Sequence, residues 1–346
     1  MLWTDSTTDP PVLYRLERGV SRPLWRGREV ALPAGEPPGS EVVQTIAGLG
    51  ASATAAGFVY RVGVLQPRPI SCEICYRDLF SELWVGPPHG PFRRVRGVPG
   101  RCGQIDGLDA GPRSVVVSEA PSAAGCTELR PVFPKVVSVP LAGRGRQTVF
   151  ARSSAFRFVH VAAAGRYVAW DRLPMRCGAG RIPCSRTGIT VYDMTRRRVA
   201  FRLSAKQLGV SGAPSFSLAL QPDGKLAVVA SGATKPCAAD LCNHGRLAWA
   251  SPSSPRPHVV AAAPLDYPVA MSGDRLVFLT DDSRALEVSD LRGRTRALDP
   301  FEPSRHWFDW TLDAGGGRVL WTAVTAPGLP APLSAYSTSI FVAPLR

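Results

Sequence analysis

The sequence predicts an all-β protein built from one repeated unit of antiparallel strands. Three observations predict it: a turn phrase that recurs along the chain, a strand pattern that recurs around each copy, and almost no helical periodicity. The phrase is a turn, usually with glycine, followed by Arg or Lys and then an apolar run. Its basic residues stand at positions 113, 166, 225, 275 and 318, in steps of 53, 59, 50 and 43 residues. A loose period of this size indicates one supersecondary unit copied several times.

Each copy predicts four strands. A β-rich segment such as residues 156–161 precedes the phrase, and the turn reverses the chain into an apolar second strand such as residues 226–229. Since that strand is apolar at successive positions, it is covered on both faces. A third strand such as residues 189–193 and a more polar fourth strand, residues 199–203, complete the unit. Four antiparallel strands without a helix describe a blade of a β-propeller.

Laid over the whole chain, this unit predicts a single propeller domain of residues 1–346. Residues 1–32 form a partial first blade without its opening strand, and the last blade lacks its closing strand. We therefore expect seven blades, or six if the first segment completes the last blade. The six fuller blades lie near residues 41–99, 102–150, 155–205, 213–262, 265–299 and 305–346.

Two segments carry a resemblance to known propeller repeats. Residues 220–227, which read Leu-Gln-Pro-Asp-Gly-Lys-Leu-Ala, resemble the strand–turn–strand of TolB-like and WD40-like repeats. Residues 191–197 resemble the third strand and turn of the surface-layer type of propeller repeat. The resemblance implies the fold. Propellers of these kinds include scaffolds, sugar binders and enzymes, so it leaves the function open.

The charge of the chain is basic, with a formal net charge of +14. Of its 41 cationic residues all but four are arginines, and they are spread along the chain instead of being gathered in one block, which argues against nucleic-acid binding. No apolar run is long enough for a transmembrane helix, and no secretory signal opens the chain. We expect a monomer, with no cofactor, whose partner is a protein or an envelope polymer.

The eight cysteines fall in loops that open on one face of the predicted blades, each near a partner in its own blade. This arrangement predicts disulfides that staple long loops, and hence an oxidising, extracytoplasmic compartment. A start of translation upstream of Met1 would reconcile that compartment with the missing signal. The predicted pairs are Cys72 with Cys75, Cys102 with Cys126, Cys177 with Cys184, and Cys237 with Cys242.

Metal binding is the alternative for the cysteines. The Cys72-x-x-Cys75 spacing could supply half of a zinc site, and Cys237, Cys242 and His244 could supply three ligands. A full site needs four ligands, and no second Cys-x-x-Cys follows, so we predict no metal site.

The same loop face is the expected recognition surface, because loops on a rigid scaffold commonly carry function. On it His306, beside Trp307, and His244 are candidate ligand contacts. The sequence thus favours a non-catalytic binding or scaffolding propeller of the cell envelope or exterior, and it shows no catalytic residues. The alternatives are a hydrolase or lyase with a site at the channel mouth, and an intracellular WD40-type interaction hub.

Arginines also mark the turns between third and fourth strands, on the opposite face. The ordinary interpretation is a solvent-exposed rim, and the more specific hypothesis is a basic collar for an anionic envelope polymer or a lipid surface. The arginines in question stand at positions 93, 94, 144, 146, 196–198, 292, 294 and 296.

Overall fold

The structure is a computed structural model of the 346-residue chain. The chain divides into two compact units, Met1–Val161 and Ala162–Arg346, and each is described by itself. The structure describes residues 2–5, 10–17, 20–66, 75–99, 104–120, 133–141, 146–175, 186–233, 243–263, 268–279, 285–300, 306–325 and 337–345.

The first unit contains three antiparallel sheets in which strands pair in chain order. The first sheet has three strands, and the next two have four each. A short strand, β12 (Phe156–Arg157), follows them. The sheets are formed by β1 (Leu2–Asp5), β2 (Val12–Glu17) and β3 (Val20–Arg26); by β4 (Glu41–Ala51), β5 (Ala56–Gln66), β6 (Cys75–Gly86) and β7 (Arg93–Pro99); and by β8 (Gln104–Ala110), β9 (Ser114–Ala120), β10 (Lys135–Pro140) and β11 (Thr148–Arg152).

Four further sheets follow, and their strands also pair in chain order. The fourth sheet contains β13 (Val161–Ala164), β14 (Tyr167–Pro174), β15 (Gly188–Asp193) and β16 (Arg198–Ser204), and a short helix, α1 (Ala205–Leu208), follows it. The remaining sheets are formed by β17 (Ser211–Leu220), β18 (Leu226–Ala233), β19 (Asn243–Ser251) and β20 (Ser254–Ala263); by β21 (Ala270–Ser272), β22 (Arg275–Leu279), β23 (Ala285–Asp290) and β24 (Thr295–Pro300); and by β25 (His306–Gly315), β26 (Arg318–Thr325) and β27 (Ser337–Pro344).

The recurring phrase of the sequence forms the first hairpin of five of the seven sheets, the third to the seventh. Its glycines adopt the left-handed backbone that such a tight turn requires: φ is +55° at Gly165 and +87° at Gly224. The turn of the next sheet packs directly against the backbone of such a glycine. At Gly165, an added Cβ would lie only 2.9 Å from Cα of Pro222. Glycine therefore serves both the reversal of the chain and the approach of the next sheet.

The cores lie between successive sheets of each unit and depend on the apolar second strands. In the first unit Val115 and Val117 of β9 pack with Val59 of β5. In the second unit Val229 of β18 packs with Phe278 of β22. Each fully buried aliphatic or aromatic side chain of this kind contributes about 1.5–3 kcal/mol.

Polar bonds between successive sheets add to this packing. In the first unit the Ser52 hydroxyl donates to the carbonyl of Gly111 at 3.0 Å. In the second, the Trp249 indole Nε1 donates to the carbonyl of Leu291 at 3.1 Å. Each bond joins a turn or the third strand of one sheet to a turn of the next, so the two bonds hold the sheets in place against each other.

One predicted strand is interrupted. Residues 156–161 were expected to be continuous, but strand pairing breaks at residues 158–160. The carbonyl of Val159 instead accepts a hydrogen bond from the Ser118 hydroxyl of the preceding sheet, at 3.2 Å. Gly107 makes this approach possible, since a Cβ there would lie 2.2 Å from the same carbonyl oxygen. This hydrogen bond within the first unit replaces strand pairing at Val159.

Candidate functional site

A hollow of about 170 Å³ lies on the fourth sheet, where β14 ends, β15 begins and β16 ends. This is the edge at which second strands run into third strands, on the loop face that the sequence singled out for recognition. The lining residues are Arg172, Arg186, Thr187, Gly188, Ile189, Thr190, Arg202, Leu203, Ser204 and Gln207. None of them carries a carboxylate.

Strand register explains why the sheet is hollow at this point. Arg172 on β14, Gly188 on β15 and Ser204 on β16 are direct partners across the sheet and therefore share one face. Gly188 is the central one of the three and carries no side chain. A Cβ there would lie only 2.3 Å from the carbonyl oxygen of Leu203. The glycine thus permits close strand contact and leaves a depression between its neighbours.

The side chain of Arg172 is held in place by the main chain at Arg186, a residue just before β15. Its Nε and Nη2 both donate to the carbonyl of Arg186, at 3.2 and 2.9 Å. Two bonds from one planar guanidinium to a single acceptor restrict its orientation. A positioned cation of this kind loses less conformational entropy on binding a ligand than a mobile one.

The electrostatics of the hollow are one-sided. Burial lowers the pKa of Arg172, and the positive charges of Arg202 and Arg186 lower it further. The carboxylate of the adjacent residue, Asp171, lies on the other face of the sheet, because Asp171 pairs in register with Ile189, and it is fully buried there. The hollow therefore holds like charges that repel one another, and an anion would relieve that repulsion.

Hydrogen-bonding groups complete the rim. Ser204 and Gln207 form a capping box: the Gln207 amide oxygen accepts from the backbone N–H of Ser204 at 2.8 Å and from its hydroxyl at 3.0 Å. With its oxygen engaged, the side-chain amide of Gln207 can offer the hollow only its N–H groups. Thr190, in register with Arg202, adds a hydroxyl on the same face as the arginine. The arrangement suits an acceptor-rich group with negative charge.

The residues that the sequence analysis put forward lie outside the described residues or are described only in their backbone. Cys75, His244, His306 and Trp307 begin or lie in strands whose backbone is placed, and their side chains are outside the described part. The disulfides and the ligand contacts therefore stay predictions. The cysteines outside the described residues are Cys72, Cys102, Cys126, Cys177, Cys184, Cys237 and Cys242.

Two absences hold for the described ranges. Among their residues no group of three or more His, Cys, Asp or Glu side chains could hold a metal ion. Likewise, no helix found there is long and apolar enough to cross a membrane.

Two arginines of the third-to-fourth strand turns, Arg93 and Arg94, have structural partners. Arg93 donates to the carbonyls of Pro140 and Leu141 at 3.1 and 2.8 Å, which ties its sheet to the next. Arg94 pairs with the buried carboxylate of Glu82 at 3.0 Å. These contacts favour the ordinary interpretation of the arginines over the basic collar.

Sequence reasoning missed the arginine hollow. It placed β14, β15 and β16 correctly, but it did not align their residues across the sheet. The available signal was the pair of arginines at positions 172 and 186, on either side of the loop that contains Cys177 and Cys184, with a glycine at position 188. These residues indicate a site only once the strand register is known, because the register places Arg202 on the same face as Gly188.

No family model matches the chain, and no curated protein matches it. Solved structures do. A puromycin-hydrolyzing peptidase from Mycobacterium tuberculosis is 14% identical, with a TM-score of 0.51 over 88% of this chain and 53% of its own. TolB from Acinetobacter baumannii is 13% identical, with a TM-score of 0.44 over 85% and 61%. The Neurospora crassa Pan2 WD40 domain is 8% identical, with a TM-score of 0.45 over 81% and 86%.

These likenesses concern the fold alone. The chain spans little more than half the length of the first two structures that it resembles. The seven successive antiparallel sheets, together with the likeness to the fold of the peptidase, confirm the predicted class: an all-β fold of the propeller type with seven blade-like sheets.

Proposed function

We propose that this chain is a non-catalytic binding propeller of the cell envelope or exterior, which captures a ligand through an anionic group at the arginine hollow. The observation that carries the proposal is the composition of the hollow's lining, in which three arginines and four hydroxyl or amide side chains surround a bare glycine without any carboxylate. Donors without a base suit the binding of an anion better than acid–base chemistry.

Retention on immobilised polyanions tests this function. The wild-type chain is loaded on polyglutamate and on polyphosphate beads and eluted with salt. Arg202→Gln removes a charge from the hollow. Arg198→Gln is the matched control, because it makes the same change on the same strand, at an exposed position outside the lining.

We expect Arg202→Gln to elute at clearly lower salt than Arg198→Gln, since only the first residue belongs to a convergent site. Equal shifts for the two variants would mean that the net charge of +14 alone causes retention. Equal shifts, or no retention of the wild type, would refute the function.

The compartment is a separate part of the proposal and rests on the cysteine pattern. Mass mapping of the protein without reductant is expected to find Cys177 linked to Cys184 and Cys237 linked to Cys242. Free thiols at all four positions would refute the extracytoplasmic assignment, because an oxidising compartment would have oxidised such close pairs.

A further inference from the structure

We infer that the group bound in the arginine hollow is a phosphoryl group, and that its doubly charged form is preferred over a carboxylate. This inference rests on the proposed function and specifies its ligand. The chemistry is shared by free phosphate and by a phosphate ester at the end of a larger molecule.

The charge of the hollow exceeds what a carboxylate can neutralise. One planar carboxylate carries a single negative charge, which one bidentate guanidinium neutralises. The lining contains three guanidinium groups, and the lowered pKa of Arg172 records burial and the repulsion from Arg202 and Arg186. A phosphoryl ester carries about −1.5 to −2 charge near neutral pH, so it balances more of this repulsion.

The donors of the hollow also converge from several directions. Arg172 comes from β14, Arg186 and Thr190 from the start of β15 and the residues before it, and Arg202 from β16. Gln207 approaches from the helix beyond β16. The three terminal oxygens of a tetrahedral phosphoryl group can accept from such a spread set, whereas the two oxygens of a carboxylate lie in one plane.

The size of the hollow fits one compact group. About 170 Å³ is below the roughly 300–1,000 Å³ of pockets that enclose a whole drug-sized ligand. The floor is backbone at Gly188, so a ligand's charged end can approach the sheet closely. The rest of an esterified ligand would remain outside the hollow.

Calorimetric titration of the full chain with three small anions tests the inference. Inorganic phosphate, glycerol 3-phosphate and acetate are compared at constant ionic strength near pH 7.5. We expect both phosphates to bind at least about tenfold more tightly than acetate. Arg202→Gln should weaken phosphate binding about tenfold or more, the usual size of one lost charge-assisted bond, while Arg198→Gln should leave it within about twofold.

A second titration, near pH 5, uses the ionisation of the ligand itself. The second pKa of a phosphoryl group is about 6, and arginine stays charged throughout this range. Phosphate affinity should therefore fall at pH 5 as the dianion is protonated.

Urea midpoints equal to that of the wild type establish that both arginine variants are folded.

The outcomes separate the two proposals. Tighter binding of glycerol 3-phosphate supports an esterified ligand, and tighter binding of inorganic phosphate supports the free ion. Equal affinity for acetate, phosphate affinity that does not change with pH, or insensitivity to Arg202→Gln would overturn the phosphoryl assignment. If the bead retention still depends on Arg202 in that case, the anion-binding function stands and only the choice of ligand fails.

Discussion

Replacement of Gly188 by alanine tests the strand packing that creates the hollow. The new Cβ would lie 2.3 Å from the carbonyl oxygen of Leu203 and 3.2 Å from Cα of Ser204. Ordinary carbon–oxygen contacts are about 3.3–3.6 Å, so β15 and β16 would have to separate by about 1 Å. Both nearest atoms are backbone, so no flexible side chain can make room.

Overpacking of this kind costs about 1–3 kcal/mol. With a urea m-value of about 3 kcal/mol/M, the unfolding midpoint should fall by about 0.3–1 M. Gly315→Ala is the matched control, because Gly315 also lies in a strand but a Cβ there meets no atom within 4 Å. That variant should be unchanged or more stable by up to about 1 kcal/mol, since alanine restricts the unfolded chain.

Urea unfolding monitored by tryptophan fluorescence gives both midpoints, and amide hydrogen exchange locates the loss. We expect faster exchange in β15 and β16 of the Gly188→Ala variant, and a parallel loss of phosphate binding because the methyl group enters the floor of the hollow. Equal midpoints for the Gly188→Ala and Gly315→Ala variants would refute the packing argument.

Three further predictions concern two turn carboxylates and one hydrogen bond between successive sheets. Asp193→Ala removes a buried carboxylate that accepts hydrogen bonds from two backbone amides at 3.0 Å. The substitution should lower the free energy of unfolding by about 1.5–3 kcal/mol. A change below about 0.5 kcal/mol in a urea titration would contradict this expectation. A hydrogen bond from the backbone amide of Arg294 lowers the pKa of Asp290. The ionised form of Asp290 therefore stabilises the fold above about pH 4, and this contribution is lost as the pH falls through the lowered pKa. The difference in unfolding free energy between wild type and Asp290→Asn should narrow from pH 7 to pH 3. A difference that stays constant over this range would contradict a stabilising role of the ionised carboxylate. Trp249→Phe deletes the bond to the Leu291 carbonyl and should cost about 0.5–1.5 kcal/mol, whereas an unchanged thermal midpoint would show that the bond contributes nothing.

The fold was predictable because it depends on local, repeated chemistry. A glycine turn such as that at Gly224 forces a reversal, and the apolar run after it demands cover on both faces. Neither signal requires knowledge of distant residues. The break at residues 158–160 was not predictable, because it arises when Ser118, about forty positions away, donates to Val159.

The candidate site was not predictable for the same physical reason. Arg172, Gly188 and Arg202 lie on three different strands, and only the pairing of those strands puts the three residues on one face. A shift of one residue in any strand would move its side chains to the other face. The hollow does lie at the edge where second strands run into third strands, the edge on which the sequence led us to expect a recognition surface.

A crystal structure grown with tungstate would test the account most directly, because this tetrahedral oxyanion mimics phosphate and is located by its anomalous scattering. The account predicts an anomalous peak in the hollow, within hydrogen-bond distance of Arg172 and Arg202 and above Gly188, and no such peak in crystals of the Arg202→Gln variant. A hollow without tungstate, while the anion occupies arginines elsewhere on the surface, would contradict it.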